Sequence, residues 1–84
     1  MEMQIKQKTE LDARSFSEIY GTLTDTEKQV LCASIAAKTG MTRMAINYWS
    51  RGERTPRSLS TKRDIASSVK SVLGLNVSAI SLFK

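Results

Sequence analysis

The chain has 84 residues, 40% of them hydrophobic, with one cysteine, no histidine and a formal net charge of +5. This length is that of one small domain, and these counts exclude an internal disulfide, a histidine base and, with so few ligands, a structural zinc site. The amino-terminal residues are polar and no apolar run approaches the ~20 residues that cross a bilayer, so we expect a cytoplasmic protein without a membrane partner.

The charge is unevenly distributed. Residues 1–31 carry four basic and six acidic side chains, whereas residues 32–84 carry nine basic and two acidic side chains. A charged surface is often only solvated. This basic excess, however, surrounds residues 33–51, where two predicted helices meet at a turn, and therefore favours a polyanionic partner.

The first nine residues alternate weakly between apolar and polar types. The pattern fits a short edge strand or an arm, but a flexible tail is the better interpretation, because an arm that enters a minor groove is usually richer in arginine. We therefore predict a flexible tail over residues 1–9 and a single domain over residues 10–84.

The first predicted helix begins near Ser15, which has capping-box spacing with Glu18, although a start near Asp12 is also open. Its apolar residues at helical spacing are Phe16, Ile19, Tyr20 and Leu23. The segment is acidic and would repel phosphate, so we assign its aromatic rings to the core and not to stacking on bases.

A second capping box, formed by Thr24 and Glu27, predicts a helix over residues 25–38. The residues expected on its buried side are Val30, Leu31 and Ile35. Cys32 is interpreted as a small, semi-buried filler without a chemical role, because its surroundings give little reason for a lowered pKa. Lys38, late in the helix, complements the helix dipole and could approach a DNA backbone.

A turn and a third helix, over residues 42–51, follow directly. Gly40 can take the left-handed conformation that ends a helix, Met41 is expected to tuck under the corner, and Thr42 is a good N-cap. At 100° per residue one face of the next helix is apolar, with Ala45, Ile46 and Trp49. The opposite face carries Arg43, Met44, Asn47, Tyr48 and Arg51.

Beyond this helix, Gly52 is predicted to cap its end and residues 53–58 to form a loop that contains Pro56. A fourth helix should start near residue 59 or 60 and stop at Gly74. Its predicted inner residues are Ile65, Ala66, Val69, Val72 and Leu73, and its predicted outer residues are Lys62, Arg63 and Lys70. Ser78 can cap a short fifth helix, whose Ile80 and Phe83 either return to the core or face a second subunit.

These features resemble those of lambda-repressor-like (Cro-type) DNA-binding domains. The small, glycine and apolar positions of the helix-turn-helix signature fall on Ala36, Gly40, Ile46 and Trp49, RGERTP at residues 51–56 is similar to the loop after the recognition helix, and residues 73–83 resemble the closing helices. The resemblance covers residues 24–83 and implies an all-α bundle of four to five short helices around a central helix-turn-helix.

The resemblance also implies a division of roles. The base-reading positions fall on Arg43, Met44, Asn47 and Tyr48. The phosphate-binding positions fall on Thr42, Arg51 and the following loop with Arg54, Thr55 and Arg57, to which we add Lys38. The side-chain chemistry agrees, because arginine can donate twice to guanine, asparagine can pair with adenine, and the other two side chains offer apolar contact, with the Tyr48 hydroxyl alternatively reaching a phosphate.

We therefore expect a sequence-specific regulator that binds double-stranded DNA, works as a homodimer on a pseudo-palindromic site, and uses no cofactor and no small-molecule substrate. The alternative is a protein-interaction module of the antitoxin or phage accessory type, in which Trp49 or the Phe83 end meets a partner. An enzyme is not expected, because the chain has no glycine-rich phosphate loop and no carboxylate pair in an obvious pocket.

Overall fold

The structure is a computed structural model that describes residues 12–83, so the predicted tail over residues 1–9 lies outside the described residues. Residues 12–83 form five α-helices and no strand, which confirms the predicted all-α bundle. The helices are α1 (Phe16–Gly21), α2 (Asp25–Thr39), α3 (Arg43–Ser50), α4 (Leu59–Leu73) and α5 (Ala79–Leu82).

Side chains at the helix starts explain where the helices begin. Ser15 accepts from the Glu18 backbone N–H while the Glu18 carboxylate accepts from the Ser15 N–H, and Thr24 and Glu27 repeat this arrangement. Both predicted capping boxes are therefore present, and α1 starts after Ser15 and not near Asp12. The N-caps of the remaining helices are Thr42, Ser58 and Ser78.

The core lies where α2 and α4 pack against each other, with α1 and α3 on one side and α5 against α4. The most completely buried apolar side chains are Phe16, Ile19, Leu31, Ile35, Ile46, Ile65, Val69 and Leu82. Within this interface the Ser34 hydroxyl donates to the hydroxyl of fully buried Ser68 at 3.1 Å. The pair satisfies a polar group that would otherwise be costly to bury.

Two predicted burials, those of Val30 and Met41, are wrong, and one alternative that the sequence left open is decided. Val30 is 50% exposed because the buried positions of α2 centre on Leu31 and Ile35, and Val30 lies on the opposite side of the helix. Of the two alternatives for the fifth helix, Ile80 does not return to the core and is 75% exposed, because α5 turns Ala79 and Leu82 inward. Met41 does not tuck under the corner and is 40% exposed.

None of the helices within residues 12–83 is long and apolar enough to cross a membrane.

Candidate nucleic-acid interface

The corner between α2 and α3 is closed by local hydrogen bonds. Gly40 adopts φ +71°, and its N–H donates to the Ala36 carbonyl at 2.9 Å. The Thr39 hydroxyl donates to the Ile35 carbonyl at 2.8 Å and accepts from the Met41 N–H at 3.2 Å. These bonds fix the path of residues 40–42 and leave the Met41 side chain outside the core, so the orientation of α3 is set by the end of α2.

Thr42 is the N-cap of α3, as predicted, and its hydroxyl accepts from the Ala45 N–H at 3.3 Å. The first turn contains no acidic residue, and Arg43 is its first residue. The positive end of the helix dipole is therefore combined with a cationic side chain and with backbone N–H groups that have no acceptor inside the helix. This end of α3 is suited to an anion.

The inner face of α3 anchors the helix. Ile46 is fully buried, Trp49 is 5% exposed, and half-buried Ala45 packs against the same core. The predicted packing face is confirmed. The side chains of Trp49 and Phe83, which the alternative interpretation places against a partner protein, are both buried.

The outer face of α3 brings together the four residues predicted to read bases. Arg43 and Met44 are exposed, with Met44 at 67%, while Asn47 and Tyr48 are half-buried. The side-chain amide of Asn47 makes no hydrogen bond within residues 12–83, so its donors and its acceptor are open to an external partner. The sequence-predicted set is therefore contiguous in space.

Arg43 also lies near a group that the sequence did not connect to it, the hydroxyl of Tyr20. This hydroxyl is 3.3 Å from the Cys32 sulfur, and Lys28 Nζ lies 5.4 Å from the centre of the ring. Burial, followed by the hydrogen bond with Cys32, raises the pKa of Tyr20 to about 12, and the nearby Arg43 guanidinium opposes this rise. Cys32 is 2% exposed, more buried than the predicted semi-buried filler.

The loop after α3 folds back onto the helix. The C-cap of α3 is Arg51 and not Gly52 as predicted, and Gly52 follows it with φ +76°. The Gly52 N–H donates to the Trp49 carbonyl and the Glu53 N–H donates to the Tyr48 carbonyl, both at 3.1 Å. Pro56 is buried, so the loop is attached at both ends.

This reversal places two guanidinium groups around one ring. Arg54 Cζ is 4.8 Å from the ring centre of Tyr48 and Arg51 Cζ is 5.9 Å from it. Arg51 also forms a long ion pair with Glu53, at 3.8 Å between nitrogen and oxygen. Sequence reasoning missed the stacking of Arg54 on Tyr48, because the contact depends on the turn at Gly52 and not on helical spacing.

The other predicted phosphate-binding residues do not all lie beside α3. Thr42, Thr55 and Arg57 are exposed beside α3, whereas Lys38 Nζ donates to the Ser67 hydroxyl at 3.0 Å and is therefore directed towards α4. Among residues 12–83, Arg43, Arg54 and Arg57 have no carboxylate within 4 Å. The cationic groups nearest to α3 are thus mostly free of internal ion pairs.

A groove of about 360 Å³ separates α3 from this loop and from the first turn of α4. Its lining consists of Met41, Ala45, Tyr48, Trp49, Arg54, Thr55, Pro56, Arg57, Ser58 and Thr61. Most of this lining is apolar and it includes two arginines, so the groove can accept an anionic group that also has an apolar part.

No group of three or more cysteine and carboxylate residues that could hold a metal ion occurs in the described part of the chain. Comparison of the chain with protein-family models, with curated proteins and with solved structures finds no match.

Proposed function

We propose that the protein is a sequence-specific transcriptional regulator of the lambda-repressor-like type, which binds double-stranded DNA with α3 in the major groove. An α-helix fits this groove, where the edges of the base pairs present distinguishable patterns of donors and acceptors. The regulator acts in the cytoplasm on nucleoid DNA by occupying its site, without a catalytic step.

One observation carries the proposal. Helix α3 follows α2 after a three-residue turn, buries Ile46 and Trp49, and presents Arg43 and Asn47 on its opposite face next to a cationic loop. This combination of an anchored inner face and an outer face with base-pairing chemistry is what a recognition helix requires. The basic excess of residues 32–84 supplies the attraction for phosphate.

The roles of the residues divide by chemistry. Arg43 can donate two hydrogen bonds to one guanine, and Asn47, one turn later, can pair with one adenine. Arg54 and Arg57 lie in the loop beside the helix, where flanking phosphates would be expected, so they fix the register and not the sequence. Met44 offers an apolar contact to a thymine methyl group.

We further propose that the regulator binds as a homodimer with half-sites about one helical turn apart. A small domain gains apolar burial by dimerising. The exposed Ile80 on α5 is the candidate contact between subunits.

Selection of bound sequences from a random pool of duplex DNA tests the function and the dimer together. We expect a motif with two-fold symmetry, and enrichment of no sequence would contradict sequence-specific binding.

The division of roles is tested with two arginine substitutions. Arg43→Ala should cost about 1 to 3 kcal/mol of binding free energy and relax the preference at one base pair, whereas Arg54→Ala should weaken binding to every sequence and reduce the salt slope by about one. Fluorescence anisotropy at several salt concentrations measures both quantities. Equal behaviour of the two variants would refute the division.

The second candidate function is a protein-interaction module, favoured by the exposure of two large apolar side chains, Met44 at 67% and Ile80 at 75%. Copurification with another protein, together with no salt-dependent retention on DNA or heparin, would favour this candidate. Retention that falls steeply with salt favours the DNA-binding function.

A further inference from the structure

The ring of Tyr48 is placed to support a cation. Arg54 Cζ lies 4.8 Å from the centre of this ring, within the ~6 Å over which a guanidinium is attracted to an aromatic face. Tyr48 itself is half-buried on α3, so the ring is held by the helix and has few alternative positions. A fixed ring under a long, flexible side chain reduces the number of conformations that the side chain can adopt.

The backbone brings the two residues together. The left-handed Gly52 reverses the chain, and the Glu53 N–H donates to the carbonyl of Tyr48 itself at 3.1 Å. Buried Pro56 then attaches the far side of the loop. Arg54 is therefore led back over the last turn of α3 by the path of the chain.

Charge distinguishes Arg54 from its neighbour Arg51. Arg51 is farther from the ring, at 5.9 Å, and is partly compensated by Glu53. Arg54 has no carboxylate within 4 Å among residues 12–83. A guanidinium supported on its face keeps its N–H donors, which lie in the plane of the group, available to a phosphate.

We propose that Tyr48 is a positioning residue that holds the Arg54 guanidinium for one phosphate of the DNA backbone, and that it reads no base. This inference rests on the proposed DNA-binding function and changes the role of Tyr48 within it. The aromatic ring, and not the hydroxyl, carries the effect.

The first test uses the free protein. In wild-type chain and in Tyr48→Phe, the side-chain protons of Arg54 should show ring-current shifts in NMR spectra, and in Tyr48→Leu these shifts should disappear. Arg54 signals at the positions of an unstructured peptide in the wild-type protein would overturn the proposal. Circular dichroism of each variant checks that the fold is retained.

The second test measures binding to the selected DNA site, to single-base variants of that site and to unrelated duplex. Tyr48→Phe should bind like wild type, and Tyr48→Leu should lose about two- to five-fold affinity equally for all three. A loss confined to one base position would show that Tyr48 reads a base. An equal loss in Tyr48→Phe would assign the effect to the hydroxyl. Either result overturns the proposal.

A double-mutant cycle isolates the pair. The effects of Tyr48→Leu and Arg54→Ala on the free energy of DNA binding should be coupled. Arg54→Ala should therefore reduce the affinity less when Tyr48→Leu is already present. Arg57→Ala is the matched control, because among residues 12–83 the Arg57 guanidinium forms no cation–π contact with this ring. Its effect on binding free energy and that of Tyr48→Leu should therefore be additive. Additivity in the Arg54 cycle, in a protein that binds DNA, overturns this inference alone. A wild-type chain without salt-dependent binding to any duplex overturns the proposed function and this inference with it.

Discussion

The two faces of α3 differ in almost every physical property although they belong to the same eight residues. On the inner face Ile46 and Trp49 are buried and contact α1 and the core. On the outer face Arg43 and Met44 are exposed, and half-buried Asn47 has an amide without a partner in residues 12–83. We therefore expect the inner face to contribute more to stability than the outer face.

This contrast separates folding from the proposed recognition. Substitutions on the outer face should change binding while the domain stays folded, and substitutions on the inner face should change the free energy of unfolding first. Paired substitutions on the two faces test how complete this separation is.

The largest effect is expected for Trp49→Ala on the inner face. Removing a buried indole should reduce the free energy of unfolding by about 3 to 5 kcal/mol, a large share of the total for a domain of this size. Met44→Ala, on the same helix but exposed, should change it by less than about 0.5 kcal/mol. Urea denaturation of both variants makes the measurement, and comparable losses would show that the faces are not independent.

The next largest effect on stability is expected at the corner between α2 and α3, which orients both faces of α3. Gly40→Ala should destabilise the fold by about 1 to 2 kcal/mol, because an alanine at φ +71° is strained even though a Cβ there would meet no atom within 4 Å. Gly21→Ala, at a helical position that is equally open, should stabilise by about 0.4 to 1 kcal/mol. Thermal unfolding should therefore show shifts of opposite sign, and shifts of the same sign would contradict the backbone argument.

A smaller effect, on DNA affinity, is expected for substitution of Glu53, which lies just after the end of α3. Glu53→Gln removes the carboxylate that lies 3.8 Å from Arg51, so affinity for DNA of any sequence should rise by less than about five-fold and the salt dependence should become steeper. Asp25→Asn makes the same change in net charge at the far end of α2 and serves as the control. An equal rise in both variants would mean that only net charge matters.

The smallest effect is a change in the pKa of Tyr20 when Arg43 is substituted, because this pKa depends on how close the Arg43 guanidinium lies to the Tyr20 hydroxyl. The pKa of Tyr20 in the folded protein is raised to about 12, above the unfolded value near 10, so this group's contribution to stability is complete below pH ~10 and is lost as pH rises from there towards 12. Arg43→Ala should raise the pKa further. Ultraviolet titration makes the measurement, with Tyr20→Phe assigning the signal, and an unchanged pKa would place Arg43 away from the hydroxyl.

How much of the structure the sequence could predict depends on how far apart along the chain the interacting residues lie. The caps at Ser15, Thr24 and Thr42 were predictable because each bond joins residues three positions apart. The two faces of α3 were predictable because helical geometry fixes the angle between successive side chains.

The sequence left open, or missed, the contacts that another element decides. Ile80 is exposed because α5 rests on α4 through Ala79 and Leu82, and only the packed structure shows which side of so short a helix faces inward. The stacking of Arg54 on Tyr48 requires the loop to turn back at Gly52, and no periodic pattern encodes that path. Local chemistry thus predicted the helices and the face of α3 on which the candidate residues lie, while the contacts between the loop and α3 required the structure.

The pair formed by Phe16 and Phe83, whose ring centres lie 5.6 Å apart, joins the two ends of the described chain. A contact between such distant positions forms only after the intervening helices have brought them together, since closing a long loop costs entropy before it gains any burial. Helices α1 and α5 should therefore close the bundle last and open first, as one cooperative unit in native-state hydrogen exchange. Because α1 also packs against α3, opening of this unit would loosen the support behind the outer face of α3 while α2 and α4 stay paired.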